Sequence, residues 1–316
     1  MPDLDVLVLG DANPDLVLRG GDLVPVFGQQ EQLVDEAILA VGGSGAIFAC
    51  AAARLGLHVG ICGVVGNDPF GRFMREELTE AGVDVRGLTV DPTRPTGVTV
   101  VLSRPDDRAM LTAAGTIAGL SGASVSRDLL RDARHVHVSS YFLQDALRPD
   151  LPELLDEAHA AGATTSVDPN WDPAENWDSG LLTLLPAVDI FLPNSAEARN
   201  ITGIDDIDVA CESLAGRGGL VAIKFGDGGG MVQKGDEAVR VPGITVDVVD
   251  TTGAGDTFDA AFLAAWLEGW PPERALALAN VCGAMSCRAA GGTAALPTKE
   301  EALERLPEIV GRAMPP

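Results

Sequence analysis

Short apolar segments alternate with longer helical segments along most of this chain. The pattern predicts helices over 44–55, 69–81, 151–161, 196–201, 254–268, 272–289 and 299–312. It predicts strands over 6–10, 59–65, 135–139, 164–167, 190–192 and 221–224. Strands that are apolar at consecutive positions are buried on both faces, and their alternation with helices is typical of parallel sheets. The order therefore predicts an α/β fold with a parallel, doubly wound sheet.

Two stretches, within 13–39 and 96–114, lack a clear helical period and contain short or alternating apolar segments. They are predicted to be antiparallel strands added to the main sheet. The chain has no internal repeat, no low-complexity tract and no obvious linker between domains. We therefore expect one domain over residues 1–316 with a small β appendage.

The charge balance excludes several classes of partner. Asp and Glu total 46 against 22 Lys and Arg, a formal net charge of -24, which argues against nucleic acid and anionic membranes. A nucleotide can still be held by backbone N–H groups, a helix N-terminus and a metal ion. The five cysteines form no C-x-x-C pair, which argues against a disulfide framework or zinc site. The chain shows no targeting or membrane-spanning segment, which predicts a cytoplasmic protein.

The segment 248–258 combines an apolar strand-like lead, a glycine-containing turn and the start of a long helix. Gly253 and Gly255 allow a tight turn and a close approach of the backbone to a ligand. Free N–H groups at the helix start suit a phosphate or a developing anion. Beside them, the carboxylate of Asp256 could accept a proton from a hydroxyl that attacks a phosphoryl group. The turn therefore predicts phosphoryl transfer.

An N-capping arrangement is the alternative interpretation of this turn. In it, Asp250 or Thr251 and Asp256 only satisfy the N–H groups at the helix start. Capping alone does not explain two glycines and two acids in one turn. The residues by themselves leave both interpretations open.

The run Asp250-Thr-Thr-Gly-Ala-Gly-Asp-Thr-Phe258 closely resembles the C-terminal signature of the ribokinase-like (PfkB) carbohydrate kinases. The resemblance implies a ribokinase-like three-layer sandwich with a parallel doubly wound sheet and a small β-sheet lid. It also implies ATP-dependent phosphorylation of a hydroxyl on a sugar or sugar-like molecule. In that family the second Asp of the signature is the catalytic base and the backbone before it forms an anion hole. These roles would fall to Asp256 and to Gly253, Ala254 and Gly255.

The first Asp of the family signature helps to bind a monovalent cation, usually potassium. The resemblance implies that role for Asp250, assisted by the carbonyl of Thr252. It implies magnesium as well, with Asn194 and Glu197 resembling the N-x-x-E segment that positions magnesium and phosphate through water. An ordinary acid in the first turn of a helix is the alternative explanation of Glu197.

Matches near the N-terminus imply the sugar site. Gly42 and Gly43 resemble the glycine pair of the family's N-terminal signature, which opens a helix where backbone approaches a sugar hydroxyl. Asn13 and Asp15 resemble an Asn-x-Asp that hydrogen-bonds sugar hydroxyls, and an acid with an amide suits a polyol. Tight helix packing and turn formation are the alternative explanations of these two motifs.

Matches near the C-terminus imply the nucleotide site. Lys224, Gly226 and Gly229 lie in a run that resembles the strand and turn lining that site, where Lys224 could meet the ATP phosphates. Asn280 stands where the family flanks the adenine, and an ordinary helix-surface residue is the alternative.

The second β stretch places Arg108 in the implied lid, within reach of an anionic or hydroxylated substrate. In the family this small sheet covers the sugar and often pairs with another subunit, so a homodimer through the lid is one option.

The chain departs from the family at several positions. Ile47 stands where many sugar-specific members carry Asn, Ser44 where ribokinases carry Lys, and Trp171 where an Arg is frequent. The pocket is therefore predicted to be more apolar and less cationic than usual, with Ile47, Phe48 or Trp171 facing the ligand. Such a pocket also suits a nucleoside, and the substrate stays open.

Two other functions compete with a sugar kinase. One is a nucleoside kinase on the same scaffold, and the other is a catalytically idle ligand-binding sensor. The sequence lacks a G-x-G-x-x-G after the first strand and a G-x-x-x-x-G-K-[ST] motif, which excludes a dinucleotide-binding module and a P-loop enzyme.

Overall fold

The structure, a computed structural model, describes residues 3–21, 23–104 and 108–309. In chain order its strands are β1 (Leu4–Leu9), β2 (Asn13–Arg19), β3 (Glu36–Gly42), β4 (Val59–Gly66), β5 (Asp84–Asp91), β6 (Val98–Ser103), β7 (Arg108–Ala113), β8 (Ala133–Val138), β9 (Thr164–Val167), β10 (Ile190–Phe191), β11 (Leu220–Lys224), β12 (Gly230–Lys234) and β13 (Glu237–Val241). Its α-helices are α1 (Ser44–Arg54), α2 (Pro69–Glu80), α3 (Arg127–Arg131), α4 (Leu151–Ala160), α5 (Leu181–Leu184), α6 (Ser195–Thr202), α7 (Ile207–Ala215), α8 (Ala254–Leu267), α9 (Pro272–Ser286) and α10 (Lys299–Arg305).

Nine strands form one large sheet in the order β13-β12-β11-β10-β9-β8-β1-β4-β5. The seven strands from β11 to β5 are all parallel to their neighbours, and β12 and β13 add an antiparallel edge. The predicted parallel α/β sheet is therefore confirmed. No helix within the described ranges is long and apolar enough to cross a membrane.

Two apolar clusters cover the two faces of this sheet and make the fold three-layered. Val6 and Val8 of β1 join one cluster with residues of α1, α2, α8 and α9. Leu7 and Leu9 point to the opposite face and join the other cluster, with residues of α4 and α7. A strand with both faces buried reads as a continuous apolar run, which explains the sequence pattern of β1.

The remaining four strands form a separate small sheet in the order β3-β2-β6-β7. The prediction that these segments extend the main sheet was therefore wrong, and so was the purely antiparallel pairing, because β2 and β6 run parallel. The sheet falls within the predicted stretches 13–39 and 96–114, except that β3 continues to Gly42. Within those stretches, residues 22 and 105–107 lie outside the described residues.

Two predicted helices end several residues earlier than expected, and six of the described strands and α-helices were not predicted. Helix α9 ends at Ser286 instead of 289, and α10 ends at Arg305, while residues 310–312 of its predicted range lie outside the described residues. The strands β5, β12 and β13 and the helices α3, α5 and α7 were not predicted.

Candidate active site

Two cavities meet at the carboxyl edge of the large sheet. The larger, of 770 Å³, lies between the ends of β1, β9 and β11, the start of α1 and the inner face of the small sheet. The smaller, of 580 Å³, lies between the turn after β11, the segment 243–248 and the helices α8 and α9. Both linings include Lys224, Gly226, Thr251 and Gly255. The two cavities therefore share a wall at the first turn of α8.

Helix α8 begins at this wall without a side-chain cap. Gly253 is the N-cap residue, with a φ of 75°, and no described side chain caps the first turn. The oxygen Oδ1 of Asp250 instead accepts hydrogen bonds from the N–H and hydroxyl of Thr252, at 2.9 and 2.7 Å. The capping interpretation of the turn is therefore wrong. Uncapped N–H groups of a first turn remain available to an anion, with the helix dipole behind them.

The two glycines of the turn serve different purposes. A Cβ atom on Gly253 would lie 2.8 Å from both the carbonyl oxygen of Gly292 and Cγ2 of Ile47, so the position has no room for a side chain. A Cβ atom on Gly255 would meet only Lys224, with Nζ at 3.8 Å. Gly253 therefore permits close backbone packing, whereas Gly255 leaves open space between the two cavities.

Asp256 lines the larger cavity and is half-buried. Burial raises the pKa of its carboxyl well above the usual value, and the charges of Asp168 and Asp11 raise it further. Lys224 and a hydrogen bond from the Ser44 side chain act in the opposite direction. A carboxylate with a raised pKa is a stronger base, so this position suits proton abstraction near neutral pH.

Lys224, at the end of β11, is bound by two buried carboxylates. Its Nζ lies 2.6 Å from Oδ2 of Asp168 and 2.9 and 3.0 Å from the two oxygens of Asp259. Burial opposes the ammonium charge, but Asp168, Asp259 and Glu197 outweigh it and hold the pKa of Lys224 above its usual range. Lys224 is thus a fixed cation beside the uncapped turn.

Asn194 and Glu197 form a capping box at the start of α6. Oδ1 of Asn194 accepts from the N–H of Glu197 at 2.9 Å, and Oε2 of Glu197 accepts from the N–H of Asn194 at 2.7 Å. Both residues also line the larger cavity. Burial, followed by the charge of Asp168, raises the pKa of Glu197 to about 7. The pair therefore caps the start of α6, as the alternative explanation predicted. The same two residues also face the larger cavity.

Three polar residues, one after β1 and two at the start of β2, line the larger cavity: Asp11, Asn13 and Asp15. The oxygen Oδ1 of Asn13 is buried and has no hydrogen-bond partner among the described residues. Burial and the charge of Asp11 raise the pKa of Asp15 to about 7. These groups can accept hydrogen bonds from the hydroxyls of a polyol.

The glycines Gly42 and Gly43 make room for these polar side chains. A Cβ atom on Gly42 would lie 2.2 Å from Cγ of Asp15, and one on Gly43 would lie 2.8 Å from Oδ1 of Asn13. Gly43 is part of the lining of the larger cavity, but Gly42 is not.

Arg108, the first residue of β7, reaches across the larger cavity. Its Nη1 donates to Oγ1 of Thr252 at 2.7 Å and lies 3.4 Å from Oδ1 of Asp250. Asp250 is buried behind this contact, where its Oδ2 accepts from the N–H of Gly291 at 2.9 Å. The implied cation-binding pair Asp250 and Thr252 is therefore also the contact point of the small sheet.

The smaller cavity contains the four residues predicted for the nucleotide: Lys224, Gly226, Gly229 and Asn280. Asn280 is buried, and its Nδ2 donates to the carbonyls of Val241 and Pro242 at 3.0 and 3.2 Å. The interpretation of Asn280 as a helix-surface residue was therefore wrong. Its amide holds the segment that follows β13 against α9. Ala254 also lines this cavity.

The predicted apolar lining was right in part. Ile47 and Trp171 line the larger cavity. Phe48 does not, because its ring is fully buried and stacks on His137 with centroids 4.0 Å apart.

The sequence analysis missed three acidic or hydroxyl side chains at the site. Asp11 and Ser44 line the larger cavity, where the Ser44 hydroxyl lowers the pKa of Asp256, and Asp259 binds Lys224 from one helical turn beyond Asp256. An acid within the otherwise apolar run of α8 was the available signal for Asp259, since a buried charge requires a partner.

Comparisons with known proteins identify relatives over most of the chain. The model of the pfkB family carbohydrate kinases matches residues 3–299. The ATP-dependent ribose-1-phosphate kinase of Halopiger xanaduensis is 33% identical over 92% of this chain and 94% of its own length. The 2-dehydro-3-deoxygluconokinase of Bacillus subtilis is 31% identical over 83% of this chain and 85% of its own length.

Solved structures match over nearly the whole chain. An Escherichia coli protein described as a ribokinase II, solved with ATP and Mg²⁺, has a TM-score of 0.85 and 27% identity, covering 96% of this chain and 99% of that one. The adenosine kinase of Sinorhizobium meliloti has a TM-score of 0.85 and 26% identity, with the same coverage of both chains.

Proposed function

Because this chain belongs to the pfkB family of carbohydrate kinases, we propose that it transfers the γ-phosphoryl group of ATP to a hydroxyl of a neutral polyol, with Asp256 as the catalytic base. Its named relatives are ATP-dependent sugar and nucleoside kinases, and the chain is an enzyme of that class. What we propose beyond this class is the identity of the acceptor and the role of each residue at the site.

The main support for this proposal is the wall that the two cavities share. A phosphoryl donor in the smaller cavity and an acceptor in the larger one would meet at Gly255, beside Asp256 and Lys224. Phosphoryl transfer depends on such positioning and on charge stabilisation more than on covalent chemistry of the protein.

Asp256 has the position and the basicity for proton abstraction. Its carboxylate faces the larger cavity, where it would accept the proton of the acceptor hydroxyl as the oxygen attacks phosphorus. The leaving ADP oxygen departs on the side of the smaller cavity. Asp256 returns its proton to solvent after the product leaves.

The first turn of α8 supplies the anion hole. The backbone from Gly253 to Asp256 is uncapped, so its N–H groups can stabilise the charge on the transferring phosphoryl oxygens. Lys224 adds a fixed positive charge at the same wall. Lys224, Gly226, Gly229 and Asn280 would line the ATP site.

Magnesium fits the side chain of Glu197. This buried carboxyl has a raised pKa, and a nearby cation would favour its ionised form. With Asn194 it would hold the ion through water, and when bound the ion neutralises charge on the phosphate oxygens.

A monovalent cation fits beside Asp250. Oδ2 accepts one hydrogen bond, from Gly291, among the described residues, so a lone pair stays available to a cation. Arg108 already neutralises part of the charge on the other oxygen. We propose potassium at Asp250 and the Thr252 carbonyl.

The charges of the larger cavity favour a neutral acceptor. Its described lining carries five acids: Asp11, Asp15, Asp168, Glu197 and Asp256. The two cations of that lining, Arg108 and Lys224, are already bound to acidic groups. An anionic sugar would find no cation in the described lining that is not already paired with an acid, whereas the hydroxyls of a neutral sugar can donate to Asp11, Asn13 and Asp15.

A nucleoside acceptor is the second candidate. The larger cavity also has apolar walls formed by Val101, Met110, Leu143 and Trp171, and Trp171 is half exposed. An aromatic ring of this kind suits a base attached to the sugar. An idle sensor is the third reading, and the complete anion hole with Asp256 disfavours it.

The outer face of the small sheet suits a second copy of this chain. Leu39, Leu16, Val100 and Leu111 are register partners in one row across its four strands. The alternation of side chains places this row opposite Asp15, Thr99 and Thr112, which face the cavity. An exposed apolar row on a sheet is a candidate interface, so we propose a homodimer through the lid.

The proposal is tested by measuring ADP release with ATP, magnesium and potassium over a panel of neutral sugars, sugar acids, sugar phosphates and nucleosides. Turnover with neutral sugars or nucleosides, abolished in Asp256→Ala, supports it. Turnover confined to sugar acids or sugar phosphates contradicts the neutral acceptor. ATP binding without turnover of any compound favours the sensor.

A further inference from the structure

The side-chain amide of Asn170 binds two serine hydroxyls from distant parts of the chain. Its Nδ2 donates to Oγ of Ser140 at 3.1 Å and to Oγ of Ser44 at 3.3 Å. Its Oδ1 accepts from the backbone N–H of Trp171 at 2.7 Å, which orients the amide nitrogen toward the serines. Both protons of the amide are therefore used on hydroxyl oxygens.

Each serine then has one proton of its own to donate, and an acid receives it. Oγ of Ser140 donates to Oδ1 of Asp11 at 3.0 Å. Ser44 lines the larger cavity together with Asp256, and its hydroxyl lowers the pKa of the Asp256 carboxyl as a hydrogen-bond donor would. A hydroxyl that accepts from an amide N–H can serve a carboxylate only as a donor, so the amide sets the direction of both bonds.

The backbone conformation supports a functional reason for this arrangement. Ser140 and Asn170 have φ values of 55° and 56°, in the left-handed region that residues other than glycine seldom adopt. Both follow parallel strands, β8 and β9, at the edge of the sheet where the larger cavity opens. Strained residues of this kind are concentrated at functional sites.

We propose that Asn170 is a positioning residue: through Ser44 and Ser140 it directs a hydroxyl proton at each of Asp256 and Asp11, which orients both carboxyl groups toward the acceptor and favours their ionised form. Asn170 would act without touching the phosphoryl group. The inference rests on the proposed role of Asp256 as the base.

The surroundings of Asp256 make this contribution necessary. Burial raises the pKa of its carboxyl, and so do Asp168 at the end of β9 and Asp11 after β1. Lys224 at the end of β11 lowers the pKa, as does the Ser44 hydrogen bond. Removing a donor from a carboxylate raises its pKa, so loss of the Ser44 contact leaves less of the base ionised at neutral pH.

Two variants test the proposal by independent routes. Asn170→Asp keeps the shape but replaces the amide donor by an acceptor, so the serine protons turn toward residue 170. Ser44→Ala removes the donor itself. In both variants we expect the acidic limb of the kcat–pH profile to shift to higher pH by about one unit. The rate below that limb then falls about tenfold, while the rate on the alkaline plateau and the KM for ATP change little.

Two further variants serve as controls. Ser44→Thr keeps a hydroxyl and should restore the wild-type acidic limb. Asn176→Asp makes the same amide-to-acid change on an exposed turn and should leave the profile unchanged. A titration of the Asp carboxyl ¹³C signals in the ligand-free protein should show higher pKa values for Asp256 and Asp11 in Asn170→Asp than in the wild type, and thermal unfolding reports whether each variant is folded.

The outcomes separate this inference from the function on which it rests. If Asn170→Asp and Ser44→Ala are folded and lose rate equally at every pH, or keep the wild-type limb, the positioning role is wrong. If Asp256→Asn is inactive in the same assays, the base assignment survives that result. If Asp256→Asn keeps the wild-type rate, both the base assignment and this inference are wrong.

Discussion

Arg108 of the small sheet and Thr252 of the loop before α8 are joined by a hydrogen bond of 2.7 Å. The Thr252 hydroxyl in turn donates a hydrogen bond to Oδ1 of Asp250 at 2.7 Å. One guanidinium group therefore links the wall of the larger cavity to the turn that begins the proposed anion hole.

We expect Arg108→Ala to weaken acceptor binding. Loss of this link should raise the KM for the acceptor about tenfold and change the KM for ATP little, since hydrogen bonds to charged groups contribute roughly 1.5–3 kcal/mol and this one is partly exposed. Arg86→Ala, which removes an exposed pair with Asp84, is the matched control. Steady-state kinetics with both substrates varied measures the split, and an unchanged acceptor KM contradicts the link.

Asp256→Asn should lower the activity and raise the thermal stability. Loss of the base should lower kcat about 10²–10⁴-fold. The pKa of Asp256 is raised in the folded state. Ionised Asp256 therefore lowers the free energy of unfolding above that pKa, and this effect disappears as the pH falls below the usual pKa of an aspartate. The variant should therefore have a higher Tm than the wild type near pH 8, and this difference should shrink in acid. Calorimetry at several pH values tests the sign, and a lower Tm at pH 8 would contradict it.

The two glycines before Asp256 should respond oppositely to alanine. Gly253→Ala must adopt a φ of 75° and place Cβ 2.8 Å from Ile47 and Gly292, so it should lower the Tm strongly. Gly255→Ala meets only ordinary contacts within a helix, where alanine is favoured by about 1 kcal/mol. It should fold as well as the wild type but lose at least tenfold in kcat, because its methyl group occupies the space between the cavities. Equal Tm losses in the two variants would rule this out.

Lys224→Met should be strongly destabilising, and a second change should compensate for it. The substitution leaves Asp168 and Asp259 buried without their cation, and breaking a buried pair costs about 3–5 kcal/mol. Adding Asp259→Asn removes one of the uncompensated charges and should restore part of the free energy of unfolding, with no recovery of activity. A double-mutant cycle by denaturant unfolding measures this coupling. Additive losses would show that the two residues are energetically independent.

Potassium should activate the enzyme through Asp250. Replacing potassium by a large organic cation at constant ionic strength should lower kcat, and Asp250→Asn should abolish the difference between the two salts. Arg86→Ala again serves as a control that keeps the potassium response. An unchanged rate without potassium would indicate that Arg108 already supplies the positive charge that Asp250 needs.

The main sheet and the glycine-containing turn before α8 were predictable because they depend on local pattern. Consecutive apolar residues mark β1, and the glycines and acids of 250–256 are contiguous in the chain. The small sheet was assigned to the main sheet because its pairings, such as β2 with β6, join segments about eighty residues apart and leave no local signal.

Side-chain partners were the part that sequence could not supply. Asp259 was overlooked because its partner Lys224 lies on another element, and only the fold brings them together. Asn280 was taken as an exposed residue because helix α9 gives no sign of which face meets the carbonyls of Val241 and Pro242. Phe48 was placed at the ligand because its neighbour Ile47 is there, although adjacent helix residues point in different directions.

The two sheets share no strand, and this separation has a consequence for how such an enzyme can change. The side chains of Thr99, Val101, Met110 and Thr112 shape the larger cavity from the small sheet, whereas the proposed anion hole, Lys224 and Asp256 belong to the large sheet and a helix packed on it. Apart from Arg108, which donates to Thr252, the cavity-facing positions of β6 and β7 can therefore be replaced without removing a hydrogen bond to the groups proposed to transfer phosphate. Substrate preference in this chain can drift, or be redesigned, on one sheet while the chemistry is conserved on the other.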